Sequence, residues 1–173
     1  MKLEQIDKQQ YRSLNNKVQF SLVALLALLS VVIGQTLIVF FGSEALPDGS
    51  TGNFNLNFLG VIFALMICTF VVRKQRGKPQ YFEVYYIWQL KQLQNKIFKN
   101  LKSIQSKADD NEPEALMILA FYYRSLALVY ELDNNTLTMS KVNAQYQQVS
   151  DKMISLQLDP DVQHLDESVL ANY

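Results

Sequence analysis

The sequence predicts an all-α protein: a two-helix transmembrane hairpin followed by a cytoplasmic bundle of about three helices. Three features predict it. Residues 20–41 (FSLVALLALLSVVIGQTLIVFF) and 56–72 (LNFLGVIFALMICTFVV) are two uncharged apolar runs around one short polar loop. Positive charge flanks the pair on both outer sides and is missing from the loop. Beyond residue 80, apolar side chains recur at spacings of three and four, the period of amphipathic helices.

The first run, at 1.5 Å rise per residue, covers the roughly 30 Å of a hydrocarbon core. The second is shorter and starts raggedly. Formal net charge over the 173 residues is zero, but this is a sum of opposite halves. Residues 1–80 carry eight Lys and Arg against four Asp and Glu, or +4, and residues 81–173 carry eight against twelve, or −4. Each half therefore suits a different environment. Cys68, the single cysteine, lies inside the second run and excludes an intramolecular disulfide.

Residues 1–19 form a polar cytoplasmic segment with Lys2, Lys8, Arg12 and Lys17 ahead of the first span. The apolar run is longer than a signal-peptide core and ends in Val39, Phe40 and Phe41 without a small-residue cleavage pattern, so it is expected to be retained. Residues 42–55 make the external loop, with Pro47, Asp48, Gly49 and Gly52 as turn formers and Glu44 and Asp48 as its charges. Arg73, Lys74, Arg76 and Lys78 follow the second span in a basic linker, residues 73–80. The positive-inside rule then places both termini in the cytoplasm and the loop outside.

Within the spans, Ser30 and Gly34, and Gly60, Ala64 and Cys68, recur at four-residue spacing. Small side chains on one face let two backbones approach in lipid. That face suits the contact within the hairpin and equally a contact between copies. Gln35 is the strongly polar side chain of the first span, read as bonding to a neighbouring helix or lying near the outer interface, with a conducting role as the alternative.

Gly77 and Pro79 break the second span, so a new helix is expected near Gln80. Its first turns hold Tyr81, Phe82, Tyr85, Tyr86 and Trp88 directly after the basic linker. Tyr81, Phe82, Tyr85 and Trp88, with the four linker cations, suit membrane headgroups; the same rings suit a bundle core, and local sequence does not choose. Tyr86, Leu90, Leu93, Ile97, Leu101 and Ile104 then form one apolar stripe, with Lys91, Lys96, Lys99 and Lys102 off it as a solvated face rather than a nucleic-acid site. Pro113 opens the next helix, expected over residues 114–132, whose ALMILAFYY stretch is apolar all round and marks the centre of a bundle; a half-inserted helix is the alternative. Met139, Val142, Tyr146, Val149, Met153 and Leu156 make a second seam. The bundle thus spans residues 81–158, and residues 159–173 form an acidic tail with Val169 and Leu170 as late anchors and an end expected to be mobile.

No catalytic constellation is present. His164 is the single histidine, read as solvated rather than metal-bound. There is no glycine-rich phosphate loop, nucleophile elbow, paired-cysteine motif or His-Glu-x-x-His helix. No cofactor, metal, nucleic acid or small-molecule substrate is therefore expected; the expected partners are membrane lipid and another protein or further copies of the chain. The pattern implies a non-enzymatic, membrane-anchored interaction or assembly protein, with a small oligomeric channel or transporter accessory subunit as the alternative. Enzymatic action on lipid would need polar groups clustered near the aromatic stretch, where Glu83 stands alone.

The opening MKLEQIDKQQYRSLNNKV, the Gly34-Gln35 pair, the short second span ending in basic residues and the segment YFEVYYIWQLKQLQNKI together resemble a bacterial family of two-span inner-membrane proteins, domain of unknown function 3087, found chiefly in gammaproteobacteria. The resemblance covers nearly the whole chain and implies inner-membrane placement and an uncharacterised role. It carries no catalytic residues to transfer.

Overall fold

The computed structural model describes residues 1–42 and 52–173. Within them the chain is all-α, with apolar helices long enough to cross a membrane followed by a helical bundle. The residues divide into two compact units, one of Met1–Arg12 with Glu83–Tyr173 and one of Ser13–Phe82. Most of the expected external loop, including Glu44 and Asp48, lies outside the described residues.

Helix α1 runs Lys8–Phe41, starting twelve residues ahead of the apolar run. Asp7 sets this start: its carboxylate accepts the Gln10 N–H at 2.7 Å and its carbonyl accepts the Tyr11 N–H, an N-cap that satisfies donors the first turn leaves open. No proline or glycine interrupts the helix between that cap and Gly34, so it carries through the polar segment into the apolar run. Helix α2 runs Phe54–Gln75. Arg73 and Lys74 occupy its last turn, where cations favour the negative end of the helix dipole. Lys78 is extended, as the residue before proline prefers, and Pro79–Tyr81 form a short 3-10 turn.

In the other unit, α3 (Phe82–Lys99), α4 (Leu101–Asp109), α5 (Pro113–Leu132) and α6 (Thr136–Ser155) enclose one apolar core. The stripe on α3 buries Tyr86, Ile87, Leu90, Leu93 and Ile97 and continues on α4 through Ile104 and Ala108. The sequence pattern predicts one helix here, and the structure divides it at Asn100. A one-residue interruption leaves the buried face in register. Helix α5 is the centre: every residue of Ile118–Tyr123 is buried, so all its faces are covered. Val142 and Met153 of α6 are buried with Tyr146 and Val149 half-buried on the same face, packed against α5.

The chain's two ends close this core. Residues 1–7 are not helical; Leu3 N–H donates to the Gln163 carbonyl at 2.8 Å, Leu165 N–H donates to the Met1 carbonyl at 2.9 Å, and the Met1 amino group donates to the Leu165 carbonyl. Lys2 and His164 pair as an antiparallel bridge. The tail expected to be mobile is held instead. Leu165 and Leu170 are buried, and Tyr173 donates its hydroxyl to Glu112 at 2.8 Å beneath the Lys107 ammonium. Reading the tail alone misses this, because its partners lie up to 164 residues away.

Candidate functional site

The residues singled out by the sequence fall into two sets. The first lies at the α1–α2 contact. A Cβ added at Gly60 would lie 2.8 Å from both Cα and N of Gly34 and 3.2 Å from the Ser30 carbonyl oxygen, so the two backbones touch there. Ala64 and Cys68 continue the buried line on α2. The Ser30 hydroxyl donates to the Leu26 carbonyl at 2.7 Å, spending its polarity inside its own helix. The structure therefore brings Ser30, Gly34, Gly60 and Ala64 together within one hairpin. Gln35, next in the chain but rotated about 100° around α1, lies on the exposed side.

The second set of residues runs along the sequence from the basic linker into α3. Arg73, Lys74, Arg76 and Lys78 are exposed, Tyr81 is half-buried and Phe82 is exposed. Tyr85 is half-buried and stacks on exposed Trp88, with ring centroids 5.7 Å apart and planes 15° apart. Tyr86 separates from this group. It points into the core, 6 % exposed, where its hydroxyl accepts the Glu4 N–H at 2.9 Å and donates to the Lys2 carbonyl at 2.8 Å. The aromatic stretch thus divides ring by ring, with Tyr86 in the bundle core and Phe82 and Trp88 exposed.

The lysines of α3 also divide. Lys91 pairs with Asp133 at 2.8 Å and Lys96 with Glu167 at 2.7 Å. Asp133 is shared with Tyr11, whose buried phenol lies 3.5 Å from that carboxylate and is pushed up to about 12 by burial and then by the nearby negative charge. Tyr11, Asp133 and the exposed Phe98 carry no mark in the sequence pattern, since the first two meet only across 122 residues and Phe98 falls off the apolar stripe.

Burial, followed by the charge of Asp7, raises the Glu83 carboxyl. Tyr122 is pushed up to about 12 by burial, with Tyr123 and Tyr130 adding to it. Asp166 is held below the usual carboxylate range because the Ser168 backbone N–H donates to it. These groups lie apart on different elements. A surface depression of about 290 Å³ between α4, α5 and α6 is walled by Gln105, Asp109, Gln145, Gln148 and Lys152, with the Lys152 ammonium donating to the Asp109 carbonyl. Among the described residues, no three His, Cys, Asp or Glu side chains converge where they would hold a metal ion.

Comparison with curated proteins and with solved structures gives no match. The family described as protein of unknown function (DUF3087) matches residues 1–170, and the chain belongs to that family.

Proposed function

We propose that this protein is a non-enzymatic, membrane-anchored interaction or assembly protein of a bacterial inner membrane, crossing it twice with both termini cytoplasmic and acting through its helical domain. The observation that carries this reading is that Met1–Arg12 and Glu83–Tyr173 fold as one unit, tied by the Leu3–Gln163 and Leu165–Met1 hydrogen bonds. Segments on either side of the apolar hairpin then share one side of the membrane. The cations flanking both spans, Lys8, Arg12 and Lys17 on one and Arg73, Lys74, Arg76 and Lys78 on the other, favour the cytoplasm as that side. A domain so tethered is confined to a thin layer at the membrane, which raises its encounter rate with neighbours held there.

Crosslinking in intact cells, gentle detergent extraction and pull-down of a tag after Tyr173 test the reading. A stable stoichiometric protein partner is the expected product. Recovery of the chain without any crosslinked partner would overturn the interaction role. The second reading, an oligomeric channel or transport accessory, draws on one observation: Gln35 is an exposed amide within an apolar helix. It predicts ion flux in reconstituted vesicles that changes on Gln35→Leu.

A further inference from the structure

The outer face of α3 has a composition that neither the core nor solvation requires. Its inner face already fills the core with Tyr86, Ile87, Leu90, Leu93 and Ile97. At 100° per residue, Phe98, Lys91, Asn95, Trp88, Lys99, Gln92 and Tyr85 fall within an arc of about 140° on the opposite side. Trp88 is 53 % and Phe98 64 % exposed, and Tyr85 stacks on Trp88. Lys91 and Lys96 are held by Asp133 and Glu167, whereas Lys99 and exposed Lys102, one turn on, have no carboxylate within ion-pair distance among the described residues. Glu83 is the single acidic residue of the helix.

We propose that this face docks on the anionic phospholipid headgroups of the membrane in which the protein is anchored. Exposed amphipathic rings beside unpaired lysines match the depth profile of a bilayer surface: ring faces enter the headgroup boundary while ammonium groups stay among phosphates. Anionic headgroups supply the charge that Lys99 and Lys102 lack. Only residues 76–81 separate α2 from α3, and six residues reach at most about 20 Å. The proposal rests on the two-span anchor and adds a second, reversible membrane contact to it.

Trp88 is the sole tryptophan and reports directly. The full-length protein is placed in nanodiscs of phosphatidylcholine alone or with phosphatidylglycerol, and its emission is challenged by headgroup-proximal nitroxide lipid and by aqueous acrylamide. With phosphatidylglycerol present, lipid quenching is expected to rise and acrylamide quenching to fall. K99Q/K102Q should reverse both, since each lysine contributes about fivefold and the pair about 25-fold to the docked-to-free ratio. Circular dichroism checks that these surface variants keep wild-type helicity. Equal quenching in both lipids and in the variant would overturn the proposal, as would full acrylamide access without lipid quenching. Shielding from both quenchers would also overturn it, indicating a protein over the face. Failure to enter discs, read by co-elution, strikes the anchor instead and removes this surface with it.

Discussion

Gly60 is where one added methyl group has the clearest consequence. Gly60→Ala puts a carbon 2.8 Å from two backbone atoms of Gly34, which cannot rotate away. Separating α1 and α2 to admit it costs about 1–3 kcal/mol, more than the roughly 1 kcal/mol that alanine returns in helix propensity. Gly34→Ala meets chiefly the Asn57 Oδ1 at 2.9 Å, the end of a side chain that can turn, so its cost should be under half as large. Denaturation of the detergent-solubilised protein by sodium dodecyl sulfate, followed by helicity, ranks the two; a reversed order would refute the contact. This pair was legible because four-residue spacing on both helices announces a close face, whereas the partner of Tyr11 has no local signature. Tyr11 and Tyr122 carry the alkaline prediction. Their phenols are held near 12 in the fold against 10.0 unperturbed, so the native state retains protons that the unfolded chain has lost. Stability is complete below pH 10 and falls as pH rises from about 10 to about 12. Urea midpoints measured across that range should decline, and Tyr122→Phe should flatten the decline; a pH-independent midpoint would contradict it.

Between elements, one buried polar bond registers α3 against α5. Gln94 Nε2 donates to Ser125 Oγ at 3.1 Å, and Ser125 Oγ donates on to the Tyr122 carbonyl at 2.8 Å, with Gln94 only 6 % exposed and Ser125 fully enclosed. Ser125→Ala leaves the Gln94 amide buried without that acceptor, at a cost of about 1–3 kcal/mol. Gln94→Leu with Ser125→Ala removes both polar ends and should recover more than half of the loss. A double-mutant cycle by thermal melting measures the coupling, and additive effects would show that the pair does not set register. The apolar stripes of α3, α5 and α6 were readable from spacing because burial follows the helical period. The stop at Asn100 was not, since asparagine breaks helices weakly and the buried face runs straight past it. The pairing of the N-terminal segment escaped for another reason: Met1 and Leu3 alternate too briefly to signal it, and the bonds that fix them come from the far end of the chain.

Counting membrane crossings turns these local contacts into a constraint on the entire chain. Among the described residues, three helices are long and apolar enough to span: Lys8–Phe41, Phe54–Gln75 and Pro113–Leu132. Burial separates them, for 6 % and 17 % of the apolar windows of α1 and α2 are covered by protein against 61 % for α5. A helix already enclosed by its neighbours has little apolar surface left to offer lipid. An odd number of crossings would hold Met1 and Leu165 apart by a hydrocarbon core of roughly 30 Å, yet their backbones are hydrogen-bonded. If α1 and α2 both cross, α5 does not. Single-cysteine labelling on a Cys68→Ser background tests the count, with Asn55→Cys at the start of α2 and Asn134→Cys in the turn after α5, both exposed positions. An impermeant maleimide added to spheroplasts should label position 55 and leave position 134 unmodified until the membrane is opened. Labelling of position 134 from outside would mean that the domain lies beyond the membrane or that α5 crosses it. The first outcome would reverse the orientation and keep two spans, whereas the second would break the link between the paired chain ends and the two-span topology.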